Sequence, residues 1–324
     1  MPALNPLASD EQIQQTPSRR DGIPEDIEEE LCVYACQQIQ QAGILLDLPQ
    51  VVMGTAQVLF RRFWFVSSLT QFNVHDIEMG ALLLASKLEE KPVRLRDMLL
   101  VFDYLLQRAI HFARHNPARR MKALHEHAAP SLHDDIPLFQ YKPSNYYSQS
   151  FYDAKDALVV AEMQILKRLG FHMDVELPYA RVINYLQVMG VAKVRLESLH
   201  DSSFHFVAAQ VAWNYLTDAL QTRVYCLFPP HTIACAAIYL LTVHPNPLHK
   251  PMALPLEPRP WWELFDATRD ELRAIASHIL RLYDAHDAEP SGPAAGFAAR
   301  VREMQGGLVK LGNRAGLRTW LEGT

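Results

Sequence analysis

The sequence predicts an all-α fold, two tandem five-helix repeats, on three observations. The first is an internal echo: "FNVHDIEMGALLLAS" begins at Phe72 and "FPPHTIACAAIYLLT" begins at Phe228, a fixed offset apart. Laid over one another, they match Phe72 with Phe228, His75 with His231, Ile77 with Ile233, Ala81 with Ala237 and Leu84 with Leu240. The same offset puts Ala56 on Ala212 without an insertion. The second observation is apolar spacing of helical period along most of the chain, and the third is a near absence of strand-like alternation.

Each element has its own signature along the chain. Residues 1–23 are polar and proline-containing, "PSRRDG" included, and predict a flexible lead. In "EDIEEELCVYACQQIQQAG" the acidic start complements a helix dipole, Leu31, Ala35, Ile39 and Ala42 share a face, and Gly43 is a natural stop. Pro49 opens a second helix with Val52, Ala56, Leu59 and Phe63 on one side. "NVHDIEMGALLLASKLEE" is apolar nearly all round and rich in small residues, Gly80, Ala81 and Ala85, as a central helix requires. A fourth helix starts after Pro92, and a fifth, "SFYDAKDALVVAEMQILKRLG", ends on Gly170 as a C-cap. Between them, residues 111–149 have no sustained period and predict a mobile insert. After Pro178 the pattern restarts with five segments, "PYARVINYLQVMG", "SFHFVAAQVAWNYLTDAL", "HTIACAAIYLLTV", a short "PWWELF" and "TRDELRAIASHILRLYDAH". The expected domains are therefore 24–173 and 174–286, followed at 287–324 by a linker, "EPSGPAAG", and a tail with room for one amphipathic helix.

Composition narrows the function. With 324 residues, 49% hydrophobic and 21% charged, the chain has length and apolar content for two ordinary domains. A formal charge of −5 and a pI near 6.3 argue against strong direct nucleic-acid binding through neutralised phosphates. No apolar run reaches the ~18 residues of a membrane span and no leader pattern opens the chain, which predicts an intracellular protein. Cys32, Cys36, Cys226 and Cys235 show no C-x-x-C spacing and read as buried thiols in a reducing compartment.

Chemistry-bearing motifs are largely missing. There is no phosphate-cradling glycine loop and no nucleophile elbow. "HEH" at 125–127 spaces its imidazoles two apart, whereas a helical zinc pair needs i and i+4, so no metal and no cofactor are expected. His75 and His231 start equivalent helices and read as side-chain contacts that hold the preceding loops. Trp64, Trp213, Trp261 and Trp262 read as core. The chain is not expected to be an enzyme. What stands out is "ASKLEEKPVRLRD", which sets Lys87, Glu89, Glu90, Lys91, Arg94, Arg96 and Asp97 directly after the most apolar helix. This is either a solvated helix end or the polar rim of a partner surface.

Two five-helix repeats with "LLLASKLEE" closing the third helix resemble the cyclins, from about residue 24 to residue 286. More narrowly, "AGILLDLPQVVMGTAQVLFRRF", "ASKLEEKPVRLRDMLLVF", "LKRLGFHMDVELPYARVINYLQV", "FPPHTIACAAIYLL" and "RPWWELF" resemble the L-type cyclins of transcription and RNA processing. The resemblance implies a non-enzymatic activator that pairs with a cyclin-dependent Ser/Thr protein kinase, with a nuclear location. RNA polymerase II or the splicing machinery would be reached through that kinase. It also implies that Lys87 of the "ASK" motif and Glu162 of "AEMQILKRLGF" anchor the kinase, with Glu90 on the polar rim. Phe102 and Leu105 are candidate apolar contacts that could equally be core.

Three departures qualify the match. The arginine/serine-rich tail usual in L-type members is missing from a chain that ends "NRAGLRTWLEGT". "EEELCVYACQQIQ" lacks the hydrophobic docking motif for R-x-L substrates, so their recruitment is not expected. The 111–149 insert exceeds the family's pattern. Competing readings are a cyclin-fold general transcription factor like transcription factor IIB, gripping DNA, and a protein-interaction scaffold that activates nothing.

Overall fold

Buried side chains fall into two clusters, one for each half of the repeat. The computed structural model describes residues 7–125, 138–191, 202–244, 254–287 and 314–323. Its helices are α1 (Asp10–Gln14), α2 (Pro17–Arg20), α3 (Glu25–Leu45), α4 (Gln50–Trp64), α5 (Val74–Leu88), α6 (Leu95–His125), α7 (Gln149–Arg168), α8 (Tyr179–Val188), α9 (Ser202–Ala219), α10 (Val224–Leu227), α11 (Pro230–Val243), α12 (Arg269–Asp287) and α13 (Arg314–Gly323), with a 3₁₀ turn at Trp261–Phe265. No strand occurs among the described residues. No helix there is long and apolar enough to cross a membrane.

Each cluster forms around one helix that is apolar on nearly every side. In the first, α5 packs against α4, α7 and α3, and Ala81, Leu82 and Ala85 are fully buried. In the second, α11 packs against α12, α9 and α8, with Ala236, Ala237 and Leu240 fully buried. Small residues at these positions let neighbouring helices close in without leaving voids. All four cysteines are buried and free, and burial pushes the Cys36 thiol up to about 11 and those of Cys226 and Cys235 up to about 12. They are inert thiols at neutral pH.

The two bundles meet along α4. Val58 of α4 lies in the second bundle's core, and a Cβ added to Gly54 would come within 2.9 Å of Leu177 and 3.5 Å of Leu220. Polar contacts flank this apolar seam. Arg61 donates to Glu29 (3.1 Å) and to the Gln221 carbonyl, while Arg223 reaches Glu29 (3.1 Å) and Glu25 (3.1 Å). On another side, Gln57 donates to Gln40 (2.9 Å), Gln40 to Gln50 (2.8 Å) and Gln50 to the Tyr179 hydroxyl (3.3 Å).

Several expectations need correcting. Residues 9–23 are no flexible lead: a Ser9 capping box opens α1, Thr16 caps α2 and donates to Glu28 (2.8 Å), and Ile23 is buried at 2% exposure. Polar composition concealed this because the segment is fastened by side-chain hydrogen bonds rather than by an apolar stripe. Gly43 does not stop α3. It lies inside the helix where a Cβ would collide with Met53, and the left-handed turn falls to Asp47 (φ 54). The fourth helix does not end near residue 110, since α6 runs on to His125. The insert's return limb also packs on α6, with Tyr141 donating to Asp103 (3.1 Å) and to the Leu100 carbonyl (3.1 Å). Residues 126–137, most of "HEH" and the "EPSGPAAG" linker lie outside the described residues. In the tail, Leu317 of α13 is 1% exposed within the first bundle's core.

Candidate functional site

The site is built where α5 and α7 cross. At Gly80 an added Cβ would sit 3.0 Å from the Ala161 Cβ and 3.0 Å from the Glu162 backbone nitrogen, so any side chain there would push the two helices apart by a few tenths of an ångström. The close crossing brings the last turn of α5 over α7, and Lys87 Nζ donates to both oxygens of Glu162, at 2.6 and 2.8 Å. The Lys87 side chain is 49% exposed and that of Glu162 is 14% exposed. An exposed lysine on a sheltered carboxylate contributes ~0.2–1 kcal/mol to folding, because water screens it. The same pair gains strength when an apolar surface excludes that water.

Just past Lys87, α5 ends under backbone strain. Glu90 takes a left-handed conformation (φ 55), its N–H bonds to the Lys87 carbonyl (3.2 Å), and the Lys91 N–H reaches back to the Ser86 carbonyl (2.8 Å). This is a Schellman cap with glutamate where glycine is usual, at a cost of about 1 kcal/mol. Thr55 of α4 donates to Glu89 (2.8 Å) and fixes the turn. Glu90 itself is exposed on that turn.

Beside the pair lies an apolar strip. α7 buries Leu158, Ala161 and Ile165, yet it also exposes Val159 (44%), Val160 (56%) and Met163 (45%), and α5 ends on exposed Leu88 (42%). Sequence reasoning missed these four residues. Their signal was available: in "DALVVAEMQILKRLG" the core face takes 158, 161 and 165, so the apolar residues 159, 160 and 163 fall off that face.

The structure brings Lys87 and Glu162 together and leaves Glu90, three residues after Lys87, on the exposed turn that follows α5. It does not support Phe102 and Leu105 as surface contacts. Both are core, at 7% and 1% exposure, because they lie on the α6 face turned toward α3 and α5. His75 Nδ1 pairs with Glu78 Oε1 at 2.9 Å within α5, and its ring meets Tyr34 of α3 edge-on at 6.5 Å between centroids. Among the described residues no group of histidine, cysteine, aspartate or glutamate could hold a metal ion.

No family model matches the chain. It is 34% identical over 280 residues to cyclin-L1 of Danio rerio, covering 86% of this chain and 47% of that relative. It is 35% identical over 280 residues to cyclin-L2 of Homo sapiens, covering 86% of this chain and 45% of that one. The chain thus spans about half the length of the curated relatives it matches. Among solved structures it is similar to a chain of the yeast RNA Pol II CTD kinase CTDK-1 complex, with TM-score 0.55 and 16% identity over 92% of this chain and 83% of that one. That likeness shows the fold.

Proposed function

We propose that the chain is a cyclin, the regulatory subunit of a cyclin-dependent Ser/Thr protein kinase acting in transcription or pre-mRNA processing, a reading supported by its similarity to cyclin-L1 and cyclin-L2 over 86% of its length. The observation that carries this reading is the Lys87–Glu162 pair set beside the exposed strip of Leu88, Val159, Val160 and Met163. A sheltered acceptor and a flexible donor within one apolar frame suit a partner helix and the segment that leads into it. The apolar residues supply contact area and the two charges fix orientation.

The mechanism rests on the demands that phosphoryl transfer makes of the kinase. Its β3 lysine must pair with a glutamate on the αC helix, and that helix has inward and outward positions. By binding the inward position better, this chain shifts the kinase population toward the active state. It contributes no catalytic group. Glu90 on the exposed turn belongs to the polar rim, and RNA polymerase II or splicing components are reached through the kinase, in the nucleus.

The experiment is affinity capture from nuclear extract with the intact chain beside the Lys87→Glu, Glu162→Lys double variant, bound proteins being identified by mass spectrometry. A cyclin-dependent kinase held by the intact chain and lost by the variant is the expected result. Capture of general transcription factors or DNA with no kinase in either lane would overturn it in favour of a nucleic-acid role.

A further inference from the structure

Residues 9–22 form a strap across the start of α3, and the strap carries a phosphoacceptor sequence. Thr16-Pro17-Ser18-Arg19 holds the single Ser/Thr-Pro step of the chain, with an arginine three residues after the threonine. A proline directly after the hydroxyl and a cation two residues beyond it form the pattern that a proline-directed Ser/Thr kinase selects. Thr16 already has the extended backbone of such an acceptor (φ −66, ψ 158), because a following proline disfavours the helical region for the residue before it.

The strap is lightly held. No residue of α1 is buried, and α2 buries only Ser18. Its fastenings to the bundle are polar. Thr16 Oγ1 donates to the two Glu28 oxygens at 2.8 and 2.9 Å, and Arg19 Nε donates to Glu28 at 3.2 Å. Further along, the Leu69 N–H donates to Ser18 Oγ at 3.2 Å and Thr70 Oγ1 to Asp21 at 2.7 Å. Just before the strap, the Ala8 N–H reaches the Cys226 carbonyl of the second bundle at 2.8 Å. A segment with so little apolar burial opens locally while both cores stay packed, which brings the buried Thr16 hydroxyl within reach of a kinase.

We propose that Thr16 is a phosphorylation site for a proline-directed Ser/Thr protein kinase, and that the phosphate releases the strap from α3. In the transfer, Thr16 Oγ1 bonds to the γ-phosphorus of ATP as the bond to the bridging oxygen breaks and ADP leaves. The hydroxyl proton passes to the kinase's catalytic aspartate. The product loses the hydroxyl donor that Glu28 accepts and sets about −1.5 to −2 charges against a carboxylate that is 6% exposed. The adjoining pocket, lined by Thr16 and Glu28 among others, has ≈ 20 Å³ of space, room for a water-sized group and too little for a phosphate. Nearby cations are committed, Arg61 and Arg223 to Glu29, and Arg19 to Glu28 and Glu25. α2 is a turn of four residues, with too few aligned peptides to hold the anion by its dipole. Repulsion from Glu28 therefore decides, and the strap lifts.

The test incubates the full chain with ATP and a purified mitogen-activated protein kinase. That kinase needs no cyclin subunit, so this proposal and the Lys87–Glu162 reading fail independently. Phosphate on Thr16, located by peptide mass spectrometry, is expected, and Pro17→Ala should lower its incorporation about tenfold or more. Hydrogen–deuterium exchange over residues 9–22 should then run about tenfold faster or more in the phosphorylated chain, since a hydrogen bond to a charged group is lost. Phosphatase should restore the original rate, and exchange in α5 and α11 should not change. No phosphate at Thr16, equal incorporation in Pro17→Ala, or exchange of the strap that is unchanged or slower would overturn the proposal. The wild-type chain with and without phosphatase decides the matter even if the variant does not fold.

Discussion

Helices α5 and α11 descend from one pattern and do the same structural work, yet they end differently. Both bury a row of small residues at the centre of a bundle, with Ala81 and Ala237 at equivalent positions and both fully buried. At the repeat's offset, Gly80 is matched by Ala236, Lys87 by Val243 and Leu88 by His244. Of the two, α5 carries the glycine that admits α7 and the lysine that crosses to Glu162. In α11 the equivalent end is Val243, 50% exposed, and His244 turns back on the Tyr215 hydroxyl at 2.8 Å. The interiors kept their common plan while one end acquired a charge pair to a neighbouring helix. A repeat therefore locates function by where its copies stop agreeing.

The comparison can be broken at the interiors first, where the largest effects lie. Phe102→Ala in the first bundle and Trp261→Ala in the second should each cost ~3–5 kcal/mol in denaturant unfolding, because each leaves a cavity in its own core. If Phe102→Ala instead weakened kinase binding at unchanged stability, its assignment to the core would fail. Overpacking comes next. Ala81→Leu and Ala237→Leu should each lose ~1–3 kcal/mol, and wild-type stability in either would remove that helix from the centre of its bundle.

The seam gives a pH-dependent test. Burial by itself raises the Glu29 carboxyl, but the Arg61 and Arg223 guanidiniums override it and hold it below its ordinary value of 4.5. A carboxyl lowered by folding adds stability in full above that ordinary value and loses it as pH falls through the folded one. Glu29→Gln should lower stability at pH 7 and flatten the acid limb of a stability profile below pH 4.5. An acid limb as steep as in the wild type would take the ion pairs out of the seam. The smallest effect is at the end of α5, where Glu90→Gly should stabilise by ~0.5–1 kcal/mol by relieving the left-handed residue. No gain in melting temperature would mean that glutamate is unstrained there.

Lys87 and Glu162 were singled out through the resemblance to the cyclins and their contact with each other came from the structure, whereas the repeat and the central helices were legible because each leaves a periodic trace. The fastening of residues 9–23 was not, since Thr16, Ser18 and Arg19 act through single hydrogen bonds to partners such as Glu28 and Leu69 that no period predicts. Phe102 and Leu105 showed the limit of composition: an apolar residue on a helix of unknown rotation fits a core and a surface equally well. Rotation was readable for α7, where Leu158, Ala161 and Ile165 define the inner face, and the same reading would have exposed Val159, Val160 and Met163.

The central claim is that the end of α5, and not that of α11, meets the kinase. The most direct measurement is the affinity of a purified cyclin-dependent kinase, once captured, for wild type, Lys87→Glu and Val243→Glu, with melting curves recorded for all three. The account predicts at least about a tenfold loss for Lys87→Glu, roughly 1.4 kcal/mol or more, and wild-type affinity for Val243→Glu, at unchanged stability. Equal losses at the two ends, or a loss at Val243 alone, would contradict it.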